Sequence, residues 1–508
     1  MKIAIRVDSS VNIGSGHVMR CLTLAEKLKS VSNSITFISA DYDGNLISLI
    51  EKRGFSVEVL NRKINDVSLG EESKWLGIPW HEDAGACKEI LKECDGVDLL
   101  IVDHYGIDAK WERKLSSYSA KIFVIDDLAD RQHHCDILLD STFGREITDY
   151  RALVEHGKSE LLLGSSFTLL RPEFLELREL SLKNRTDNAG IRSILLAMGG
   201  MDPPNTSLKV LKALDLERNS NWNVKVILGP GAPHYSELKK IARTFSMNVE
   251  VLSTVNNMAE LMCDADLAIG AAGTTSWERC CLGLPTIMIQ TAANQTFVVE
   301  SLSKVGAAIY VGDQKELRSE YIISAVREMN NILPKVSGIA RKICDGLGVS
   351  RIAEYLNMSQ LVTLRRVVAG DADMIYQWQC EKGARRYLRT TATPKYDDHI
   401  AWVNACIEAD APYFVVEYKG NGAGVLRLTP LDDATYEVSI LLSSEFKGKG
   451  IGTISMKKIR FLYPRATIFA EVHGQNIASR VLFSKLDYKI EKDQKYYSYP
   501  LLNRCESS

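Results

Sequence analysis

Short apolar runs alternate with amphipathic helical stretches through the first two thirds of the chain. Residues 3–7, 35–39, 56–60, 99–103, 121–126 and 137–139 are mostly apolar and too short for helices. That pattern suits strands buried on both faces. After the first run, Leu22, Leu24, Ala25 and Leu28 recur with helical spacing. Strands alternating with helices predict a parallel, doubly wound sheet. The alternation resumes with runs at 193–198, 224–228, 267–269 and 285–289. It breaks at Leu356–Leu361, and a new strand pattern starts at Leu364. Further on, 438–442 reads as a strand, followed by a basic glycine loop and a helix over 454–462. The remainder is the size of a compact α+β domain. The reading is α/β: two tandem Rossmann-like domains, 1–175 and 176–357, followed by an α+β domain, 358–508. No long linker, internal repeat or low-complexity tract interrupts them.

Polar clusters gather where the predicted strands end. Ligands in doubly wound sheets bind at those carboxyl ends. Gly14-Ser-Gly16-His17 lies between the first strand and its helix. Free backbone N–H groups and the helix dipole make such a turn an anion site. A histidine there stands beside whatever phosphate binds. Asp8, Asp103-His104-Tyr105 and Asp126-Asp127 also follow strands, although Asp in such places is equally a helix cap. The second segment has its own glycine turns, Gly199-Gly200, Gly229-Pro-Gly231 and Gly270-Ala-Ala-Gly273, the last leading to Glu278, and Asn294 follows its last run. The dinucleotide fingerprint with glycines at positions one, three and six is absent, which argues against NAD. His133-His134 fall in a polar stretch and read as solvated loop.

Composition removes several classes. The 508 residues are 45% hydrophobic and 25% charged, as in an ordinary soluble protein, and the formal charge of −2 gives no electrostatic case for nucleic acid or an anionic membrane. No apolar run reaches the ~20 residues of a membrane span. The chain opens on a strand pattern, not on a signal peptide, so a cytoplasmic location is expected. The 11 cysteines include no CxxC pair, and neither they nor the nine histidines have zinc-ligand spacing.

Residues 1 to about 355 resemble the UDP-sugar hydrolases of pseudaminic acid biosynthesis. The resemblance rests on Arg6-x-Asp8-x-Ser10, Gly14-x-Gly16-His17 with Arg20-Cys21, Val102-Asp103-His104-Tyr105, Ile125-Asp126-Asp127-Leu128-Ala129, Cys135-Asp136, Leu169-Leu170-Arg171-Pro172-x-Phe174 and Gly199-Gly200-x-Asp202-Pro203. The second half is also similar to the N-acetylglucosaminyl transferase that completes the peptidoglycan lipid precursor, through the turn leading to Glu278 and the Gly-Leu-Pro ending at Pro285. These resemblances imply the GT-B architecture. They imply metal-free hydrolysis of UDP-2,4-diacetamido-2,4,6-trideoxy-β-L-altropyranose, with water attacking the anomeric carbon and inverting it. His17 is then the general base, since a neutral imidazole suits that task near pH 7. Asp8 or another nearby carboxylate orients its ring. Backbone N–H groups at Gly14–Gly16 and Gly199–Gly200 receive the departing diphosphate. Arg20 joins the substrate site, Glu278 holds the ribose hydroxyls, His104 and Tyr105 contact the sugar, and Asn294 lies near nucleotide or sugar.

The last segment resembles GNAT acetyltransferases. Lys447-Gly448-Lys-Gly450-Ile-Gly452 fits their pyrophosphate loop, a nest of N–H groups before a helix. Ala470-Glu471-Val-His473-Gly-Gln-Asn476 fits the following strand end, where the asparagine contacts the pantetheine arm. The implied cosubstrate is acetyl-CoA, with Glu471 as base and His473 as a second candidate. Phe483 departs from the family, which often has a tyrosine there as acid; the alternatives are Tyr488, Tyr496 or Tyr497 as substitute, or a thiolate that leaves unassisted. A GNAT joined to this hydrolase implies a bifunctional enzyme that acetylates the 4-amino group of UDP-4-amino-4,6-dideoxy-β-L-AltNAc and then removes UDP. The rivals are a GT-B glycosyltransferase with an accessory acetyltransferase, a GNAT acting on protein N-termini, and a non-catalytic sensor of nucleotide sugar and acyl-CoA.

Overall fold

The computed structural model describes residues 1–29, 33–61, 75–155, 159–186, 190–217, 221–229, 231–253, 255–486, 488–491 and 495–501. Seven strands form the first sheet: β1 (Lys2–Val7), β2 (Ser34–Ala40), β3 (Ser56–Leu60), β4 (Leu99–Asp103), β5 (Ile122–Ile125), β6 (Ile137–Asp140) and β7 (Glu160–Leu163). All neighbours are parallel, in the order β3-β2-β1-β4-β5-β6-β7. The six expected strands are present. β7 was not foreseen, because Glu-Leu-Leu-Leu is four residues long and leucine also favours helix.

A second parallel sheet contains β8 (Ser193–Ala197), β9 (Asn223–Leu228), β10 (Asn248–Ser253), β11 (Leu267–Ala271), β12 (Thr286–Gln290) and β13 (Ile309–Asp313), in the order β10-β9-β8-β11-β12-β13. The unforeseen members, β10 and β13, are its edges. In both sheets the chain reverses direction across the sheet beside the first strand, between β1 and β4 and between β8 and β11. These switch points are where such folds bind ligands. They face each other: a side chain on Gly16 would begin 3.8 Å from Thr274 Oγ1 of the second lobe.

Helix Gly348–Ser359 lies within the span expected for the second domain, yet it packs on the first lobe. Val349, Ile352, Tyr355 and Leu356 share one core with Ile3, Ile5, Leu22 and Phe37.

The third sheet contains β14 (Val362–Arg366), β15 (Tyr413–Tyr418), β16 (Asn421–Pro430), β17 (Thr435–Leu442), β18 (Thr467–Glu471), β19 (Lys489–Glu491) and β20 (Lys495–Ser498), in the order β14-β15-β16-β17-β18-β20-β19. Every pair is antiparallel except β17–β18. That parallel pair is joined only from Thr435–Thr467 to Glu437–Phe469. Beyond it the two strands separate and leave a slot beside the remainder of β17. This domain is docked on the first lobe. Phe461, from helix Ile451–Leu462, enters the first core edge-on to Phe167 and Tyr355. Lys458 is fully buried at the seam, 2.7 Å from Glu160 and 3.0 Å from both Ser359 Oγ and the Val362 carbonyl.

Candidate active sites

The loop after β1 is shaped by Ser10. Its carbonyl accepts from Gly14 N at 2.8 Å, and its hydroxyl accepts from Asn12 N and Ile13 N. Gly14 closes the turn at φ +82°, which a side chain would strain. Helix Gly16–Leu28 starts immediately afterwards, so its first N–H groups have no acceptor within the helix. Its i, i+3, i+4 face carries His17, Arg20 and Cys21, all of which meet Asp103 at the end of β4. His17 Nδ1 donates to Asp103 Oδ1 at 2.6 Å. Arg20 donates Nε to Oδ2 and Nη2 to Oδ1, each at 2.6 Å, and reaches Asp127 with Nη1 at 2.9 Å. Burial pushes the Asp103 carboxyl up, but Arg20 and His17 outweigh it and hold it well below the usual carboxylate range. With Nδ1–H committed to Asp103, Nε2 carries the imidazole lone pair. Tyr105 stands edge-on to His17 at 4.5 Å between ring centroids and is backed by Trp75.

Asp8 and His104 lie beneath this site, not in it. Asp8 is fully buried, takes a double hydrogen bond from Arg6 (2.5 and 2.8 Å), and accepts from Ala40 N. His104 Nε2 is 3.2 Å from Asp8, and its Nδ1 accepts from Gly106 N at 3.0 Å. Of the expected alternatives, Asp8 or another nearby carboxylate, it is Asp103 that holds the His17 ring, and His104, expected at the sugar, is buried beneath it. Arg20, expected in contact with substrate, is turned to Asp103 and Asp127. His133 is not solvated either. It is buried with Nδ1 2.7 Å from Glu112, which also accepts from His134 N.

In the second lobe Gly199 adopts φ +96°, and the Gly200 carbonyl accepts from Gly229 N at 2.6 Å. Space is open above Gly199 and Gly200, with no atom within 4 Å of where a Cβ would stand. Asp202 caps helix Thr206–Leu214 through Thr206 N and Ser207 N, both at 2.8 Å. Glu278, on helix Thr275–Cys281, is 3.5 Å from Arg171 in the segment joining the lobes; burial raises its carboxyl and Arg171 opposes that. Asn294 is exposed in the turn Ala293–Gln295. Arg145 of the first lobe lies 4.2 Å over the Phe297 ring of the second.

In the third domain Gly448 and Gly450 both have φ +78° with open space around them, and Gly450 starts helix Ile451–Leu462. Successive N–H groups in this conformation suit a pyrophosphate, and the slot beside β17 suits an extended arm. Lys447 is exposed at the loop's start. A Cβ on Gly452 would stand in ordinary contact with Leu442 and Leu482, each 3.7 Å away. Asn476 uses its side-chain oxygen to cap helix Ile477–Ser484 through Ser479 N, so its NH2 is the group left for a ligand. A cavity of about 730 Å³ opens beside this slot, lined by Arg427, Trp402, Tyr413, Tyr387, Glu437 and Glu471 among others. Arg389 bridges Glu437 (2.6 Å) and Glu471. The His473 ring packs on Tyr387. Phe483 is core, against Tyr488 and Tyr496. Burial pushes the Tyr488 phenol well above its ordinary range, a poor setting for an acid, whereas Tyr497 is half-buried.

Glu437 and Arg389 escaped the sequence reading, since a carboxylate within a strand and an arginine in irregular chain carry no local signal. Among the described residues no cluster of three or more His, Cys, Asp or Glu could hold a metal ion, and no helix is long and apolar enough to cross a membrane.

Comparison with known proteins agrees with this division. Residues 199–337 match the glycosyltransferase family 28 C-terminal domain, and residues 362–489 match the GNAT acetyltransferase domain. The chain is 28% identical to the UDP-2,4-diacetamido-2,4,6-trideoxy-β-L-altropyranose hydrolase of Campylobacter jejuni, over 60% of this chain and 97% of that one. An uncharacterized protein of Methanocaldococcus jannaschii is 26% identical over 97% of both chains. The crystal structure of MurG from Acinetobacter baumannii shares the fold over 70% of this chain and 99% of its own, with a TM-score of 0.52 and 12% identity. The first two lobes thus have a GT-B-like fold, and a GNAT domain follows.

Proposed function

We propose that this homologue of a UDP-sugar hydrolase, joined to a GNAT acetyltransferase domain, performs two consecutive steps on one UDP-amino sugar: acetylation of the 4-amino group of UDP-4-amino-4,6-dideoxy-β-L-AltNAc, then hydrolysis of the product to UDP and free 2,4-diacetamido-2,4,6-trideoxy-L-altrose. The observation that carries the hydrolytic step is the His17–Asp103 pair, with Nε2 unclaimed by Asp103, at one switch point facing the glycine turns of the other. Nε2 takes the proton of a water as its oxygen bonds to the anomeric carbon. The bond from that carbon to the diphosphate oxygen breaks, and UDP leaves with the electron pair. The N–H groups at Gly14–Gly16 and Gly199–Gly200 receive the diphosphate charge. Glu278 accepts from the ribose hydroxyls.

In the GNAT cavity, Arg427 and the Trp402 and Tyr413 rings suit an anionic nucleotide, while Glu437 and Glu471 suit an amine. Acetyl-CoA supplies the acyl group: as the amine nitrogen bonds to the acyl carbon, the thioester C–S bond breaks and coenzyme A leaves with the electron pair. The loop Lys447–Gly452 and the Asn476 amide hold it, and Glu471 takes the proton lost by the attacking amine. The location that goes with this reading is the cytoplasm, where UDP-sugars and acetyl-CoA are made.

The decisive experiment follows UDP release by the purified chain from UDP-4-amino-4,6-dideoxy-β-L-AltNAc with and without acetyl-CoA. Release only with acetyl-CoA is expected. Release without it would mean that the hydrolase ignores N4 and would remove the ordered sequence. Consumption of acetyl-CoA with no release until a sugar acceptor is added would favour the glycosyltransferase instead. A second measurement concerns Glu278. A carboxylate hydrogen-bonded to ribose contributes about 1.5–3 kcal/mol, so Glu278→Gln weakens UDP binding by roughly tenfold or more in calorimetry. An unchanged Kd would remove Glu278 from the ribose.

A further inference from the structure

Arg20 is close enough to His17 to act on it electrically. Its Nη2 lies 3.1 Å from His17 Nδ1, and both groups share Asp103 Oδ1. Nε and one N–H of Nη1 go to Asp103 Oδ2 and Asp127 Oδ2. The titratable and charged groups facing His17 come from every neighbouring element: Arg20 and Cys21 from its own helix, Asp103 and Tyr105 from the end of β4, and Asp127 from the loop after β5. Cys21 donates Sγ–H to Asp103 Oδ2 at 3.4 Å and is buried, which keeps its thiol protonated. Tyr105 is likewise held protonated by burial and by Asp127. Across the cleft the nearest group to Gly16 is the uncharged Thr274.

The ionised members are therefore two carboxylates and one guanidinium. With neutral imidazole this cluster carries one excess negative charge, and with imidazolium it is balanced. Without Arg20 the imidazole would face two uncompensated carboxylates. An adjacent carboxylate raises the proton affinity of a histidine. A histidine that is already protonated cannot act as a base.

We propose that Arg20 is a positioning residue which offsets Asp103 and Asp127, so that His17 stays neutral and ready to accept a proton near neutral pH, and that it does not bind the substrate diphosphate. This inference rests on the hydrolase reading for its meaning, while the charge effect itself belongs to the free protein. Asp103 alone would orient the ring at the expense of its basic form. Arg20 allows orientation without permanent protonation.

The test has two readouts. NMR titration of the His17 ring in the free protein, assigned by its loss in His17→Gln, follows protonation without any substrate. Arg20→Gln is expected to move the His17 midpoint upward by about one to two pH units. The acid limb of kcat/KM for UDP release should move by the same amount, so activity on that limb falls by up to about ten- to a hundredfold and recovers as the pH rises past the limb. Arg20→Lys restores the charge and returns the midpoint towards wild type. Asp127→Asn, on the more exposed side of the cluster, removes a carboxylate and moves the midpoint down. If Arg20→Gln does not fold, the direction of the shift in Asp127→Asn still decides the sign, with Arg20→Lys as the charge-conserving control. A His17 midpoint unmoved in these variants, with a pH-independent loss confined to KM in Arg20→Gln, would overturn the proposal and return Arg20 to the substrate. Absence of UDP release from the wild type would count against the hydrolase alone, because the NMR midpoints still report on Arg20.

Discussion

His17→Asn is expected to lower UDP release by about 10²–10⁴-fold, while the Kd for UDP and the rate of acetyl transfer stay within about twofold of wild type. The asparagine amide overlays the Nδ1 edge of the imidazole and still donates to Asp103, so the helix face with Arg20 and Cys21 keeps its geometry. What disappears is Nε2, the atom assigned to the water proton. UDP is already a stabilised leaving group, so proton removal from water is the part of the barrier that a side chain can lower most. The assay couples UDP release to a chromogenic readout under single-turnover conditions, which separates chemistry from product departure. A loss of only a few fold would place the base elsewhere, and Tyr105 could not replace it, because its phenol is held protonated.

The second large effect is on stability. Arg6→Leu removes the guanidinium that bridges Asp8 and Asp83; Arg6 Nη2 is 2.7 Å from Asp83, and all three side chains have no exposure. Breaking a buried ion pair in this way costs about 3–5 kcal/mol, because the two carboxylates stay buried and charged without their guanidinium. Native-state hydrogen exchange at the amides of β1 reads this locally, which suits a chain of several domains. The pH dependence has a defined sign. Burial raises the Asp8 carboxyl, but Arg6 and His104 outweigh it, so the folded pKa lies well below the unfolded one. The stability contributed by ionised Asp8 is thus present above about pH 4 and is lost as the pH falls. In Arg6→Leu the carboxyl has lost its main counter-charge, and protonation relieves it. The deficit of the variant should therefore be smaller at pH 5 than at pH 7.5. Equal deficits at both would mean that lost packing, not charge, carries the effect.

Most strands visible in the sequence are those where burial is two-sided, while the edge strand β3 is legible through its β-branched valines. β1, β4, β6, β9 and β11 have neighbours on both sides and are mostly apolar, with Arg6 and Lys225 as mid-strand exceptions. β10 and β13 border solvent, so polar residues interrupt them, and β7 is too short to outweigh a helical reading. In the site, the glycine turns and His17 were legible because a turn and a helix start are local. The choice between Asp8 and Asp103 was not. Both end neighbouring strands, and only the phase of helix Gly16–Leu28, together with Arg6 pairing to Asp8, decides which carboxylate meets the imidazole. His133 misled for a related reason. Its polar neighbours signal a loop, but the carboxylate that buries it, Glu112, lies on a helix, and nothing at positions 133–134 announces that partner. The pairing of Arg389 with Glu437 and Glu471 depends on three separate segments and had no sequence signature.

The return of helix Gly348–Ser359 and of Phe461 to the first lobe fixes the order in which the chain can mature on the ribosome. β1 to β7 emerge first, yet the core they build stays open on one side until Tyr355 and Leu356 arrive, and again until Phe461 does. At ~5–20 residues per second, synthesis from Leu163 to Phe461 takes on the order of tens of seconds. During that interval the second lobe, whose sheet and covering helices lie within one continuous stretch of chain, can close. The first lobe meanwhile presents an apolar groove to the cytosol. Nascent chains arrested before residue 348 should therefore engage hydrophobic-segment chaperones through the amino-terminal lobe, and those arrested well beyond residue 461 should release them.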